Sequence, residues 1–147
     1  SFEDALGVLP CLTAFIPMLM DTGGNSGSQS SVTIIRSLSL AEIRFSDIFR
    51  IMFKEVRVAL LCGATLAVVN FGKLMLFDRL GVFVSLTVSL TLLATVVVAK
   101  FFGCTLPLLV KKIGLDPAVM ASPIITTIVD AIALLIYFAI ASAMLGI

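Results

Sequence analysis

The chain has 147 residues, of which 60% are hydrophobic and 13% charged, and its mean hydropathy is +1.20. Soluble domains average about 45–50% apolar and about 25% charged residues, so this is the composition of an integral membrane protein. A net charge of +1 gives no electrostatic footing for nucleic acid, and the lack of His, with Cys11, Cys62 and Cys104 all in apolar runs, excludes zinc, haem and redox-motif chemistry.

Four apolar segments follow one another, at about 6–37, 51–76, 82–110 and 117–145. Each exceeds the roughly 20 residues that cross a bilayer as a helix. The expectation is an all-α fold: a polytopic membrane helix bundle of four membrane helices, forming a single transmembrane domain over 1–147. Lys and Arg set its orientation. The first connection carries Arg36, Arg44, Arg50, Lys54 and Arg57, and the third carries Lys100, Lys111 and Lys112. The second has Lys73 and Arg79 alone. By the excess of basic residues on the inner side, the first and third connections are cytoplasmic and both termini of the chain lie outside a plasma membrane. An outside N-terminus that begins at Ser1 without a signal peptide is expected of a fragment whose preceding membrane helix lies beyond the sequence.

The first segment is apolar up to Met20, with Pro10 and Pro17, and then turns polar from Asp21 to Ser31 before Val32-Thr33-Ile34-Ile35. As a helix it would put Asn25 about 16 Å from Arg36, near mid-depth. Gly23 and Gly27 form a G-x-x-x-G pair that lets another helix approach closely, and Asn25 and Gln29 share a face. Tight packing accounts for the glycines but leaves Asp21, Asn25 and Gln29 as polar cost in lipid. A water-lined path accounts for all of them.

The first connection reads as a short interfacial helix. Ser39 and Glu42 have capping-box spacing, and Phe45, Ile48, Phe49, Ile51, Met52 and Phe53 alternate with basic residues. The second segment, with Gly63, Thr65 and Asn70, reads as scaffold. In the third, Lys100 is expected to snorkel to the cytoplasmic face, and Gly114 closes the helix after Lys111 and Lys112.

The fourth segment opens with Asp116 as N-cap and Pro117 at the first helical position. Asp130 then falls about 20 Å along it, near the middle of a hydrocarbon layer about 30 Å thick. An acid there costs about 2.5–3.5 kcal/mol on insertion scales, so something compensates it. Ser122, Thr126 and Asp130 recur at i, i+4 and i+8 with Tyr137 beyond, and Pro123 frees a backbone carbonyl near this stripe. Carboxylate, hydroxyls and a carbonyl are the hard oxygen ligands that Mg2+ or Ca2+ uses. The other reading is an Asp bonded to a Lys or Thr of a neighbouring helix as glue. Asp21-Thr22-Gly23 matches the Asp-Thr-Gly triplet of aspartic proteases, but nothing in the chain alternates with period two as that β-rich fold requires, so no enzyme is expected.

Two stretches give a family resemblance. One runs from Pro17-Met18-Leu19-Met20-Asp21-Thr22-Gly23-Gly24-Asn25 through Ser26-Gly27-Ser28-Gln29-Ser30-Ser31 to Arg36. The other runs from Gly114-Leu115-Asp116-Pro117-Ala118 through Ser122-Pro123 to Asp130 and Leu134-Leu135-Ile136-Tyr137. The chain resembles the MgtE family of magnesium channels over essentially its whole length, beginning just before that family's second membrane helix. The resemblance implies a homodimer of five-helix subunits in the bilayer, with the pore on the two-fold axis and lined by the second and fifth helices.

It implies a Mg2+-selective channel conducting a largely hydrated ion, which is both transported and bound at the site, with one Asp per subunit at the axis. Asp130 is then the pore acid, with Thr126 beside it at the metal. Asn25, Gly24, Gln29, Ser122, Thr127 and Tyr137 line the pore, and Asp21 is a further candidate. Mg2+ dehydrates reluctantly, so a wide site suits it better than an all-protein cage, and two copies of Asp130 balance one divalent ion. The family's cytosolic and CBS domains are not in the sequence, and Ser122 stands where the family often has Asn. The alternatives are an exchanging carrier of the same fold or a broader transporter of Mn2+, Co2+ and Ni2+.

Overall fold

The computed structural model describes residues 10–147, apart from the Ser122 side chain. Among these residues the secondary structure is all helical. The long helices are α1 (Ile16–Ser39), α2 (Ile48–Leu76), α3 (Val82–Lys112) and α4 (Ser122–Leu145), with short 3-10 turns at Phe45–Asp47 and Pro117–Met120.

Helix boundaries follow the prolines. The first apolar segment is not one helix. Residues 10–13 are helical, 14–15 form a turn, and α1 begins at Ile16 with Pro17 in its first turn. Pro17 has no N–H to give the Thr13 carbonyl, so the ladder breaks there. The part of that segment before residue 10 lies outside the described residues. The fourth segment likewise breaks. Pro117–Met120 is a 3-10 turn whose N-cap, Asp116, accepts from the Ala118 N–H at 3.0 Å. Ala121 is then extended (φ −67°, ψ 172°), and α4 starts afresh with Pro123 in its first turn. A continuous helix would drive the Pro123 ring into the Val119 carbonyl. The expected start at Pro117 is therefore corrected to Ser122.

Two further expectations change. In the first connection Ser39 ends α1 with its hydroxyl donating back to the Ile35 carbonyl, so it caps nothing. The local pairing is Arg44 N–H to Asp47 Oδ2 at 2.9 Å, around a single 3-10 turn. Gly114 does close α3, with φ +86° and its N–H on the Lys111 carbonyl.

The helices run up and down, and α3 packs against each of the other three while α1 also lies along α4. Three apolar layers fill the bundle. One end joins Leu12, Leu19, Leu74, Val88, Leu92, Tyr137 and Ala141. The middle holds Ala99, Ile125 and Val129. The other end joins Ile34, Ile51, Cys104 and Leu108. The α1–α3 crossing is a glycine contact: a Cβ on Gly23 would come to 2.6 Å from Thr95 Cγ2, and Gly103 backs directly onto the Gly27 carbonyl. Only glycine permits that approach.

Among the described residues three helices are long and apolar enough to cross a membrane: Phe45–Leu76, Val82–Lys112 and Pro123–Leu145. α1, whose middle is the polar run from Asp21 to Ser31, is not one of them.

Candidate cation site

The glycines of α1 bring its backbone against α4, and beside that contact an open cleft of about 220 Å³ is lined by Met20, Asp21, Gly24, Asn25, Thr126 and Asp130. Spacing explains the lining. Met20 and Gly24 are one turn apart on α1, as are Asp21 and Asn25, and Thr126 and Asp130 are one turn apart on α4. Gly24 is what lets the two helices close on each other. A Cβ there would sit 3.2 Å from Thr126 Cγ2 and 3.6 Å from Asp130 Oδ1.

The donor set is all oxygen and one amide. Asp21 and Asn25 are exposed, while Thr126 and Asp130 are half-buried. The Thr126 hydroxyl donates to the Pro123 carbonyl at 3.1 Å and the Thr127 hydroxyl donates to the same oxygen at 2.8 Å. The two threonine hydroxyls of α4 thus share the carbonyl of Pro123 itself. Among the described residues no three Cys, Asp or Glu side chains converge as a metal cage. Two carboxylates in a cleft of this size are suited to holding a cation through its water shell, since Mg2+ usually keeps several waters and takes one or two carboxylates.

Of the residues expected at the site, Asp130, Thr126, Gly24, Asn25 and Asp21 meet in this cleft, and Asp21 stands among them on equal terms. Gln29 and Thr127 are exposed but do not line it. The Ser122 side chain lies outside the described residues. Tyr137 is elsewhere: it is 2% exposed in the core, and its hydroxyl donates to the Leu12 carbonyl at 2.8 Å. The buried stripe of α4 is Ile125, Val129, Ala133, Tyr137 and Ala141, a strict step of four that winds around the helix with the neighbours it packs on. Tyr137 belongs to that stripe, not to the line of Thr126 and Asp130. Met20 was not expected, although its distance from Gly24 is the same one-turn step that joins Asp21 to Asn25.

Lys100 also departs from expectation. It does not snorkel; it is 8% exposed, beside Ser30 and Glu55, and does not line the acidic cleft.

An all-helical bundle with membrane-length helices has the make-up of a membrane protein, and its cleft is acidic and oxygen-lined. The family follows from similarity. The family described as MgtE, divalent cation transporter, matches residues 16–140. Over 144 residues the chain is 36% identical to the magnesium transporter MgtE of Thermus thermophilus, which covers 98% of the chain and 32% of that protein. It is 34% identical over 142 residues to the magnesium transporter MgtE of Bacillus subtilis, covering 97% of the chain and 31% of that protein. For the Enterococcus faecalis protein of the same name the identity is 31% over 142 residues. The chain belongs to the MgtE family and spans about a third of the length of these relatives.

Proposed function

We propose that this chain is the membrane domain of a magnesium transporter and that its acidic cleft is one half of a pore for a largely hydrated Mg2+. A second copy related by a two-fold axis supplies the other half. The observation that carries the reading is the meeting of Asp21 and Asn25 from α1 with Thr126 and Asp130 from α4 in one open cleft. The names of the family relatives support Mg2+ as the substrate. Carboxylates supply the charge, and the Asn25 amide and Thr126 hydroxyl hydrogen-bond the water shell, so the ion need not be stripped. All four long helices span the plasma membrane as a single domain, with the first and third connections cytoplasmic and both ends of the chain outside. α1 is carried into the bilayer by its packing on α3 and α4.

The test is Mg2+ uptake into liposomes holding the chain. Asp130→Asn keeps the shape and removes the charge, so uptake falls at least about tenfold, the scale of a lost contact to a charged group. Uptake and selectivity unchanged in Asp130→Asn would overturn the assignment. Unitary currents under voltage clamp identify a channel, whereas saturating uptake that needs a counter-ion identifies an exchanging carrier. Replacing Mg2+ by Mn2+, Co2+ and Ni2+ in turn measures its breadth.

A further inference from the structure

Among the described residues Lys100 is the one charged side chain that is buried. Its ammonium donates to Ser30 Oγ of α1 at 3.3 Å and lies 4.0 Å from Glu55 Oε2 of α2. Ser30 Oγ in turn donates to that same Glu55 oxygen at 2.8 Å. A single hydroxyl of α1 therefore sits between a cation of α3 and a carboxylate of α2. All three lie toward one end of the bundle, in the C-terminal halves of α1 and α3 and the N-terminal part of α2: Ser30 about 9 Å before Arg36, Glu55 about 10 Å after Ile48, and Lys100 about 18 Å before Lys112.

This junction and the cleft are on opposite sides of one helix. Asp21 and Ser30 are 30 − 21 = 9 residues apart, which is two and a half turns at about 3.6 residues per turn. Between them, α1 meets its neighbours through Gly23, Gly24 and Gly27. A Cβ at Gly27 would come to 3.2 Å from the Ala99 carbonyl and 3.1 Å from Val129 Cγ2. A helix packed backbone to backbone gains close approach but has few side chains on that face to interlock. Such a contact resists a small rotation or an axial slip less than interlocked side chains do. Beside the core residues Leu19 and Ile34, the register of α1 falls to directional bonds. Ser31 Oγ to the Met120 carbonyl at 2.6 Å is one, and the Ser30 junction, between long helices, is another. Yet the cleft needs α1 at one rotation and one height, because Asp21 and Asn25 must stand opposite Thr126 and Asp130. A directional bond into a fixed pair of charges supplies that register, which is the best attested use of buried polar groups.

We infer that Lys100 and Glu55 are positioning residues for the cation cleft, acting through Ser30 to fix the rotation and height of α1. The inference rests on the cleft being the ion site. Because Lys100 and Glu55 are already 4.0 Å apart, Ser30→Ala lets them pair directly and releases α1 without stranding a charge.

The experiment compares Ser30→Ala, Lys100→Met and the exchanged pair Glu55→Lys with Lys100→Glu. All are made in the full chain, in a Cys11→Ser, Cys62→Ser background that leaves buried Cys104 in place. Mg2+ uptake gives a half-saturating concentration and a maximal rate. Independently, Asn25→Cys in each background reports occupancy of the cleft, as the Mg2+ concentration that protects it from a thiol reagent. Ser30→Ala and Lys100→Met raise both concentrations about tenfold, the scale of one hydrogen bond to a charged group, and the exchanged pair returns them toward the parent value. A merely structural role would lower yield and maximal rate at an unchanged half-saturation, and that result overturns the inference. If Lys100→Met does not fold, Ser30→Ala decides alone. Asp130→Asn separates the two levels. If it abolishes uptake while Ser30→Ala changes neither concentration, the positioning role is wrong and the cleft stands. If Asp130→Asn changes nothing, the cleft reading fails and this inference with it.

Discussion

Gly23 and Gly24 are adjacent in sequence and do different work. Gly23 faces the seam between α3 and α4, where a Cβ would lie 2.6 Å from Thr95 Cγ2 of α3 and 3.0 Å from Val129 Cγ1 of α4. Both neighbours are β-branched and stiff, so neither can turn aside cheaply. Gly23→Ala should cost about 1–3 kcal/mol of stability, as overpacking in a filled core does, read as a lower thermal midpoint in detergent. Gly24 faces the cleft, where the nearest atom to an added Cβ is the Thr126 methyl carbon at 3.2 Å. A shift of a few tenths of an ångström accommodates it, at the mouth of the site and not in the core. Gly24→Ala should therefore leave the thermal midpoint near that of the parent while lowering Mg2+ uptake. Equal losses of stability in the two variants would contradict this division.

Among the elements, α4 shows what a sequence pattern can and cannot convey. That Asp130 and Thr126 share one cleft was legible because they stand one turn apart on the same helix. Tyr137 was misplaced because an ideal helix returns to nearly the same face after seven residues, whereas the neighbours of α4 select a stripe in steps of four. The crossing of the helices, which decides between those two lines, is not written in the pattern of one helix. The consequence for Tyr137 is structural. Its hydroxyl holds the Leu12 carbonyl at 2.8 Å inside the end layer of the core. Tyr137→Phe should lower stability by about 0.5–1.5 kcal/mol, the net worth of one hydrogen bond, since the Leu12 carbonyl keeps the Phe15 N–H at 3.1 Å. Mg2+ uptake per folded protein should be unchanged, and a specific loss of uptake would return Tyr137 to the ion path.

At the scale of the whole molecule, the succession of four long helices was readable from four apolar runs, but the interior was not. Lys100 reads as one more basic residue near a membrane end, and Glu55 as one acid in the basic stretch from Arg50 to Arg57. Only folding brings them to one point with Ser30, from 25 and 70 residues away. With Lys100 buried, the inner-side argument for the third connection rests on Lys111 and Lys112 alone. It is testable. In intact cells, with Cys11 and Cys62 replaced by serine, Asp78→Cys should react with an impermeant thiol reagent from outside, and Lys111→Cys should not. Reversed labelling would invert the proposed topology.

The polar middle of α1 has a consequence for how the protein is made. α2, α3 and α4 are apolar enough to partition into lipid one at a time, whereas α1 carries Asp21, Asn25 and Gln29 without the hydropathy to offset them. α1 nevertheless leaves the ribosome first of the four. It reaches its place only when α3 presents Ala99 and Gly103, and α4 presents Ile125 and Val129, for its glycines to lie against. Of the described helices, the two on which its glycines lie are both synthesised after it. The order of synthesis along the chain is therefore not the order in which the bundle can close, and the helix that carries Asp21 and Asn25 waits for the two that follow α2.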